Sequence, residues 1–359
     1  MASDAIGRSA PSRSVDLICQ AWRERAPTVD VWALPLSRGG RGFAAAAARI
    51  TGAREEPLAV AGELATAVVV TGGTVVVEAA QAGSGRSSYP VGVLVSAAAS
   101  VPDARRIVVG VGDLECLDGG LGMLQAMAGR EDDPDEVDLR WLRSLRRQWR
   151  GTPLTAANSE ALPLLGFHGA AVRAQESLGL DSSQSQLAEN ALGVFLDRTR
   201  RALPSREDLL TGKERRLDRE PGTGAGGGVG FGLGLMGAAL RAGADVSAEL
   251  SGLDQQVAIA DLVVVGEDVF DWKSLQGTVL ARVGEVAARL GRPVVVLSRE
   301  AHVGRRESAS LGVSGVYSVI PAGRLAVDVG RTSRQEPAVD AAQAVAALAT
   351  RVAGTWTPG

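Results

Sequence analysis

Lysine is nearly missing: Lys213 and Lys273 are the only two, and arginine supplies the rest of the 38 basic residues. Aromatic residues make up 4% of the chain, too few for a series of base-stacking platforms. The net charge is −3, so the polybasic character of a nucleic-acid binder is absent as well. The two cysteines, Cys19 and Cys116, lie far apart and form no CxxC pair. A disulfide framework and a structural zinc site are therefore unsupported, which fits a reducing compartment. The longest apolar run, Val229 to Leu240, is broken by glycine and too short to span a bilayer. Met1 to Ser14 lacks an apolar core of signal-peptide length. These absences point to a cytoplasmic globular protein with neither a nucleic-acid nor a membrane partner. Its length suits two domains.

Glycine, in contrast, is abundant, and it is densest in Pro221-Gly222-Thr223-Gly224-Ala225-Gly226-Gly227-Gly228, where it fills five of eight positions. Such a run can bend the chain and turn successive N–H groups toward a phosphate. Gly222, Gly224 and Gly227 match the spacing of a dinucleotide fingerprint, but Gly232, Gly234 and Gly237 match it equally. The preceding Leu217 to Pro221 is charged and proline-ended, so the strand that a dinucleotide site requires is missing. The other reading is a glycine-lined helix, Val229 to Leu240, packed closely on a sheet.

Along the chain, Val15, Ile18, Cys19 and Trp22 form a helical face, with Ser12 as its cap. Val29–Leu36 is expected as a strand and Phe43–Ile50 as a helix. Leu64–Thr71 and Thr74–Glu78 form a hairpin about Gly72-Gly73. Val91–Ala99 is expected as a helix, Arg106–Val111 as a strand and Leu121–Ala128 as a helix. Glu131 to Asp138 is an acidic loop, and the next helix, Leu139–Trp149, lies within a stretch carrying five arginines between Arg140 and Arg150. Leu187–Leu203 is helical, and Pro204 to Glu220 is a charged connector. Beyond the glycine run, strands at Asp261–Val265, Pro293–Leu297 and Gly315–Ile320 alternate with helices at Ser274–Leu290 and Pro337–Val352. This alternation implies a parallel sheet with right-handed crossovers.

Carboxylates after such strands are the candidates for chemistry: Asp118, Glu267, Asp271 and Glu78. A carboxylate there can hold magnesium or take a proton from a hydroxyl, or it can cap the following helix. His168 and His302 have no serine or cysteine elbow to serve.

Four stretches together resemble the bacterial glycerate kinase family of the two-domain α/β type. They are Gly110–Ala126 with its Asp118-Gly119-Gly120, Pro221–Leu233, Ala260–Gly277 with Glu267 and Asp271, and Val75–Glu78 followed by Ser88-Tyr89. The resemblance implies a flavodoxin-like parallel-sheet domain, residues 1–60 and 258–359, with a second α/β domain, residues 61–257, inserted in it. It implies ATP-dependent phosphorylation of D-glycerate to phosphoglycerate with Mg²⁺. Asp4, Asp118, Glu267 and Asp271 would be catalytic. Ser9, Glu78, Ser88, Gly119, Gly120, Gly222, Gly224, Gly226 and Gly227 would hold substrate or phosphate.

Departures from the family pattern fall on polar positions. The family's Asp-Ser-Phe-Lys-Gly-Ser is here Asp4-Ala5-Ile6-Gly7-Arg8-Ser9, without the strand that normally leads into it. Its Asp-Gly-Gly-Glu-Gly is Arg38-Gly39-Gly40-Arg41-Gly42, with both carboxylates replaced by cations. Its motif lysines are gone, leaving Arg8, Arg38, Arg41 and Lys273 to substitute. Two functions fit these residues: a glycerate kinase, or a paralogue that keeps the fold and binds an anion or partner without catalysis. A missing first strand would leave Val29–Leu36 without a neighbour, so either the frame extends upstream or the outer domain is destabilised.

Overall fold

A computed structural model describes residues 1–60, 62–83, 85–131, 138–203, 212, 216–320 and 340–357. The chain begins with β1 (Ala2–Ser3), α1 (Pro11–Arg25), β2 (Leu34–Pro35), α2 (Phe43–Thr51) and β3 (Arg54–Val60). Next come β4 (Glu63–Val70), β5 (Thr74–Glu78), α3 (Tyr89–Ala99), β6 (Arg106–Val111) and α4 (Leu121–Met127). The middle holds α5 (Leu142–Gln148), β7 (Leu154–Asn158), α6 (Ala170–Leu178), α7 (Ser182–Ala202), α8 (Ala225–Leu235) and β8 (Ala239–Ala242). It closes with α9 (Gly243–Ser251), α10 (Leu253–Ala258), β9 (Val263–Phe270), α11 (Val279–Arg289), β10 (Val294–Ala301), α12 (Arg305–Ser310), β11 (Val313–Ile320) and α13 (Ala341–Trp356).

The chain divides into two compact α/β units, one of Met1–Arg38, Ala45–Thr51 and Ala244–Gly359, the other of Gly39–Ala44 and Gly52–Gly243. Residues 39–44, 52–60 and 244–257 therefore fall on the opposite side of the division from the one the sequence boundaries assign.

The first unit is built on a five-stranded sheet in the order β11-β10-β9-β1-β2, and its strand pairs are parallel. Numbered within the unit, that order is 2-1-3-4-5, the flavodoxin-like arrangement. Period-two alternation splits its valines between the two faces. Val263, Val265, Val294 and Val296 pack with α9, α10 and α11, whereas Val264, Val295 and Leu297 pack with Ile18 and Trp22 of α1 and Val345 and Val352 of α13.

The expected loss of the first strand is corrected here. β1 exists, although it is only two residues long, and it pairs with β2 on one side and β9 on the other. No propensity signal survives in so short a segment; its conformation is set by the strands on both sides. The Met1 ammonium donates to the Trp32 carbonyl at 2.7 Å, and burial lowers its pKa. The strand expected over Val29–Leu36 shrinks to Leu34–Pro35, because only these residues face β1. The first helix starts at Pro11 rather than after Ser12, with proline in its first turn where its missing N–H is not needed.

The second unit holds the sheet β3-β4-β5-β6-β7-β8. β3, β4 and β5 form an antiparallel meander, and β5 through β8 run parallel. The Gly72-Gly73 hairpin is where the sequence predicts it. The apolar run Val229–Leu240 is not one helix: α8 ends at Leu235 and the chain enters β8 at Ala239. Leu139–Trp149 begins as a 3₁₀ turn over Leu139–Trp141 before α5, and the helix expected from Ser274 starts only at Val279. Most of the acidic loop, most of the connector after Leu203, and Pro337 lie outside the described residues; the last helix begins at Ala341 with Asp340 as its cap.

Candidate functional site

In the first unit the strand order reverses between β1 and β9, the place where doubly wound sheets open a crevice beyond their carboxyl ends. Ser3 pairs with Gly266, so the next residues on the two strands, Asp4 and Glu267, stand side by side at that point. Arg38, shortly after β2, completes the group: its Nε donates to Asp4 Oδ2 at 2.7 Å. Asp4 Oδ1 accepts from the Ala5 N–H at 2.8 Å. Sequence reasoning named all three residues but not the ion pair, because Arg38 reaches Asp4 only through the pairing of β1 with β2.

Glu267 is the unusual member. It is 7% exposed, and its Oε2 has no hydrogen-bond partner. Desolvation drives its pKa up to about 8; Arg38 opposes the shift, while Asp4, Asp268 and Asp271 add to it. Asp271 lies four residues further on and caps the 3₁₀ turn Trp272–Leu275, accepting from the Lys273 N–H at 2.7 Å.

Ser9 sits in a tight turn that closes through the Ile6 and Ser9 backbones, with N–H to O distances of 3.1 and 3.0 Å. Its hydroxyl donates to Asp340, so it braces the start of α13. Arg8 is exposed at the same turn. Asp4 is tied to Arg38, and Glu267 is held in its neutral form below about pH 8. The pair therefore does not offer two free carboxylates to a resident dication.

In the second unit, Asp118 is surrounded by donors. Its Oδ2 accepts from the Ser88 N–H at 2.8 Å, the Ser88 hydroxyl at 2.9 Å and the Gly122 N–H at 3.2 Å. Its Oδ1 accepts from the Gly120 N–H at 2.9 Å. Ser88 Oγ in turn accepts from the Met123 N–H at 2.8 Å, so the two side chains clamp the starts of α3 and α4 together. Glu78 is buried at the start of α2, accepting from the Ala44 N–H at 3.2 Å; desolvation raises its pKa against the backbone donors of Ala44 and Gly42. Cys116 is buried, with its thiol pushed up to about 12 by desolvation, which fits a packed thiol rather than a nucleophile.

The glycine run lies against the loop that leads to Asp118. Gly119 N–H donates to the Gly227 carbonyl at 3.0 Å. A Cβ on Gly227 would fall inside the Cys116 carbonyl, and one on Gly222 would overlap the Asn158 amide. Gly224 lies against the Pro163 carbonyl, Gly226 against Leu114 and Val111, and Gly120 against Gly232. The glycines thus permit close packing against Cys116, Pro163 and Asn158, and the single glycine-lined helix over Val229–Leu240 that the sequence offered as the other reading does not form. Asn158, at the carboxyl end of β7, is a residue the sequence did not single out. It is buried, and its Oδ1 has no partner.

The structure thus groups Asp4, Glu267 and Asp271 in one unit, and Ser88, Asp118, Gly119, Gly120 and Gly227 in the other. Glu78 and Ser9 each serve a different helix start.

Comparison with known proteins agrees with this architecture. The model of the glycerate kinase family matches residues 1–356. An uncharacterized protein of Mycobacterium bovis is 29% identical over 343 residues, covering 89% of this chain and 83% of that one. A Bacillus subtilis protein named glycerate kinase is 26% identical over 326 residues, covering 82% of each. The crystal structure of a candidate glycerate kinase 2 from Salmonella typhimurium LT2 shares the fold, with a TM-score of 0.69 at 23% identity over 98% of this chain and 96% of that one.

Proposed function

Because the chain belongs to the glycerate kinase family, we propose that it transfers the γ-phosphoryl group of Mg·ATP to a hydroxyl of a small hydroxy acid such as D-glycerate. The observation that carries this reading is the unpartnered, buried Glu267 Oε2 at the strand-order reversal. An acceptor left open there is suited to take the proton of the attacking hydroxyl. The hydroxyl oxygen forms the new bond to phosphorus, the bond to the ADP oxygen breaks, and the proton passes to Glu267. Most of the barrier reduction comes from positioning and charge neutralisation. In this reading Arg8, exposed beside the Ile6–Ser9 turn, receives the acid's carboxylate or a phosphate oxygen. Asp271 and Asp118 act by holding the loops on which they sit. The wider reading from sequence, in which Gly222 to Gly227 also approach phosphate, is part of the same proposal. No helix among the described residues is long and apolar enough to cross a membrane.

One observation favours a second reading. The ion pair with Arg38 occupies Asp4, so the site has one fewer free carboxylate for catalysis. The chain would then bind the hydroxy acid without turning it over. A coupled ADP-release assay with Mg·ATP and D-glycerate separates the two, run beside Glu267→Gln and Asp271→Ala. Turnover in the wild type that falls about 10²–10⁴-fold in Glu267→Gln supports the kinase. Turnover no higher in the wild type than in Glu267→Gln overturns it, and calorimetry with D-glycerate then tests binding alone.

A further inference from the structure

The arginine-rich stretch after the acidic loop has no part in the proposed reaction, yet it lines a cavity of about 680 Å³ in the second unit. Arg143, Arg146 and Arg147 of α5, with Arg150 just beyond it, bring four guanidinium groups to this cavity, and Trp149, Leu154 and Met236 supply buried apolar surface. No carboxylate is among the lining residues. Among the described residues, none of Arg143, Arg147 and Arg150 forms an ion pair; Arg147 Nη2 donates to the Ser144 hydroxyl at 3.0 Å, and Arg143 Nε donates to the Ala202 carbonyl. The latter bond fixes Arg143 with part of its donor fork left over. The cavity opens beside Leu154, the first residue of β7, at the opposite end of that strand from Asn158.

Like charges gathered around a concave apolar surface repel one another and focus a positive potential into it, and an anion there relieves both effects. Guanidinium groups suit phosphate because their parallel N–H bonds match its oxygens. The volume is that of a small-molecule site, and the tryptophan, leucine and methionine surface suits an apolar or planar body rather than a bare ion. We propose that this cavity is a second ligand site, which takes a small phosphorylated molecule carrying an apolar or planar group. Its phosphate meets Arg143, Arg147 and Arg150, and its body lies against Trp149 and Met236.

The test is isothermal titration calorimetry of the full chain with 1-naphthyl phosphate, with inorganic phosphate and 1-naphthol as the two half-ligands. The expected result is one bound molecule per chain, with each half-ligand at least about tenfold weaker. The double variant Arg147→Gln, Arg150→Gln replaces two exposed side chains and is expected to weaken binding by about tenfold or more. Arg147→Lys keeps the charge, loses the fork and is expected to fall between. Glu267→Gln leaves the affinity unchanged, which separates this site from that of the proposed reaction. Absence of binding at millimolar 1-naphthyl phosphate, an unchanged affinity in the double variant, or binding that is lost with Glu267→Gln would each overturn the proposal.

Discussion

Replacing Gly227 by alanine tests the role of the glycine run directly. Gly227 has φ of 62°, in the left-handed region, where an L side chain costs about 1–2 kcal/mol. Its new Cβ would fall inside the Cys116 carbonyl, which is backbone and cannot swing away. Displacing that backbone adds about 1–3 kcal/mol, by analogy with overpacked cores. The Gly119 N–H to Gly227 carbonyl bond, at 3.0 Å, is then strained or lost, adding about 1 kcal/mol. The sum is about 3–6 kcal/mol, or a fall in Tm of about 6–24 °C for a unit of this size. Two controls divide the effect. Gly237 has φ of 93° but nothing within 4 Å of its Cβ position, so Gly237→Ala feels backbone strain alone, about 1–2 kcal/mol. Gly193 lies inside α7 with open space around it, so Gly193→Ala is expected to gain about 0.5–1 kcal/mol. Thermal unfolding followed by circular dichroism ranks the three. If Gly227→Ala melts together with Gly237→Ala, the close packing against Cys116 contributes nothing to stability.

Glu267 sets a pH dependence of definite sign. Its folded pKa, about 8, lies above the usual carboxylate value of 4.5, so the folded state binds the extra proton and stability falls as pH rises between those values. At pH 7 that loss is about 3 kcal/mol, and Glu267→Gln, which cannot ionise, should flatten the profile and raise Tm at neutral pH while lowering turnover; a Tm profile parallel to wild type from pH 5 to 8 would refute it. In the kinase reading, kcat rises with pH up to about 8 as Glu267 ionises, and a rate–pH profile flat over that range would remove Glu267 as the proton acceptor. Arg38→Gln removes the cation that opposes the Glu267 shift, moving the stability midpoint to higher pH. It also removes the ion pair with Asp4, at about 1 kcal/mol once the 44% exposure of Arg38 is allowed for; denaturant unfolding across pH measures both. Asp118→Asn turns an acceptor of four bonds partly into a donor facing N–H groups, costing about 2–4 kcal/mol by urea unfolding, and an unchanged midpoint would contradict its role as a clamp.

The sequence pattern marked the elements whose cores are made of their own residues. Arg106–Val111 is a buried, β-branched run, and both of its ends fall where the composition changes. The Phe43 helix and the Gly72-Gly73 hairpin were legible for similar local reasons. The sequence concealed elements that exist because of their neighbours. β1 is two residues long, and nothing in Ala2-Ser3 signals a strand. β7, Leu154–Asn158, is buried throughout yet contains two alanines, a threonine and an asparagine, so neither alternation nor an apolar run marks it. The same reason hid Asn158 as a candidate.

The site was legible in its carboxylates but not in their states. Each glycine of the run is constrained by a carbonyl, amide or side chain already in the fold, as Gly227 is by Cys116, so a change there penalises folding whatever the protein binds. Charged positions at the ends of β1, β2 and β9 carry a weaker structural constraint. A cation can stand at Arg38 provided that something nearby absorbs its charge, and Asp4 does so at 2.7 Å. That ion pair is what couples the three groups. Arg38 neutralises Asp4 and tempers Glu267, yet burial still outweighs it and leaves Glu267 protonated below about pH 8. Backbone constraints thus preserve the family's fold, while burial, opposed by Arg38, sets the pH above which Glu267 could serve as the base of the proposed reaction.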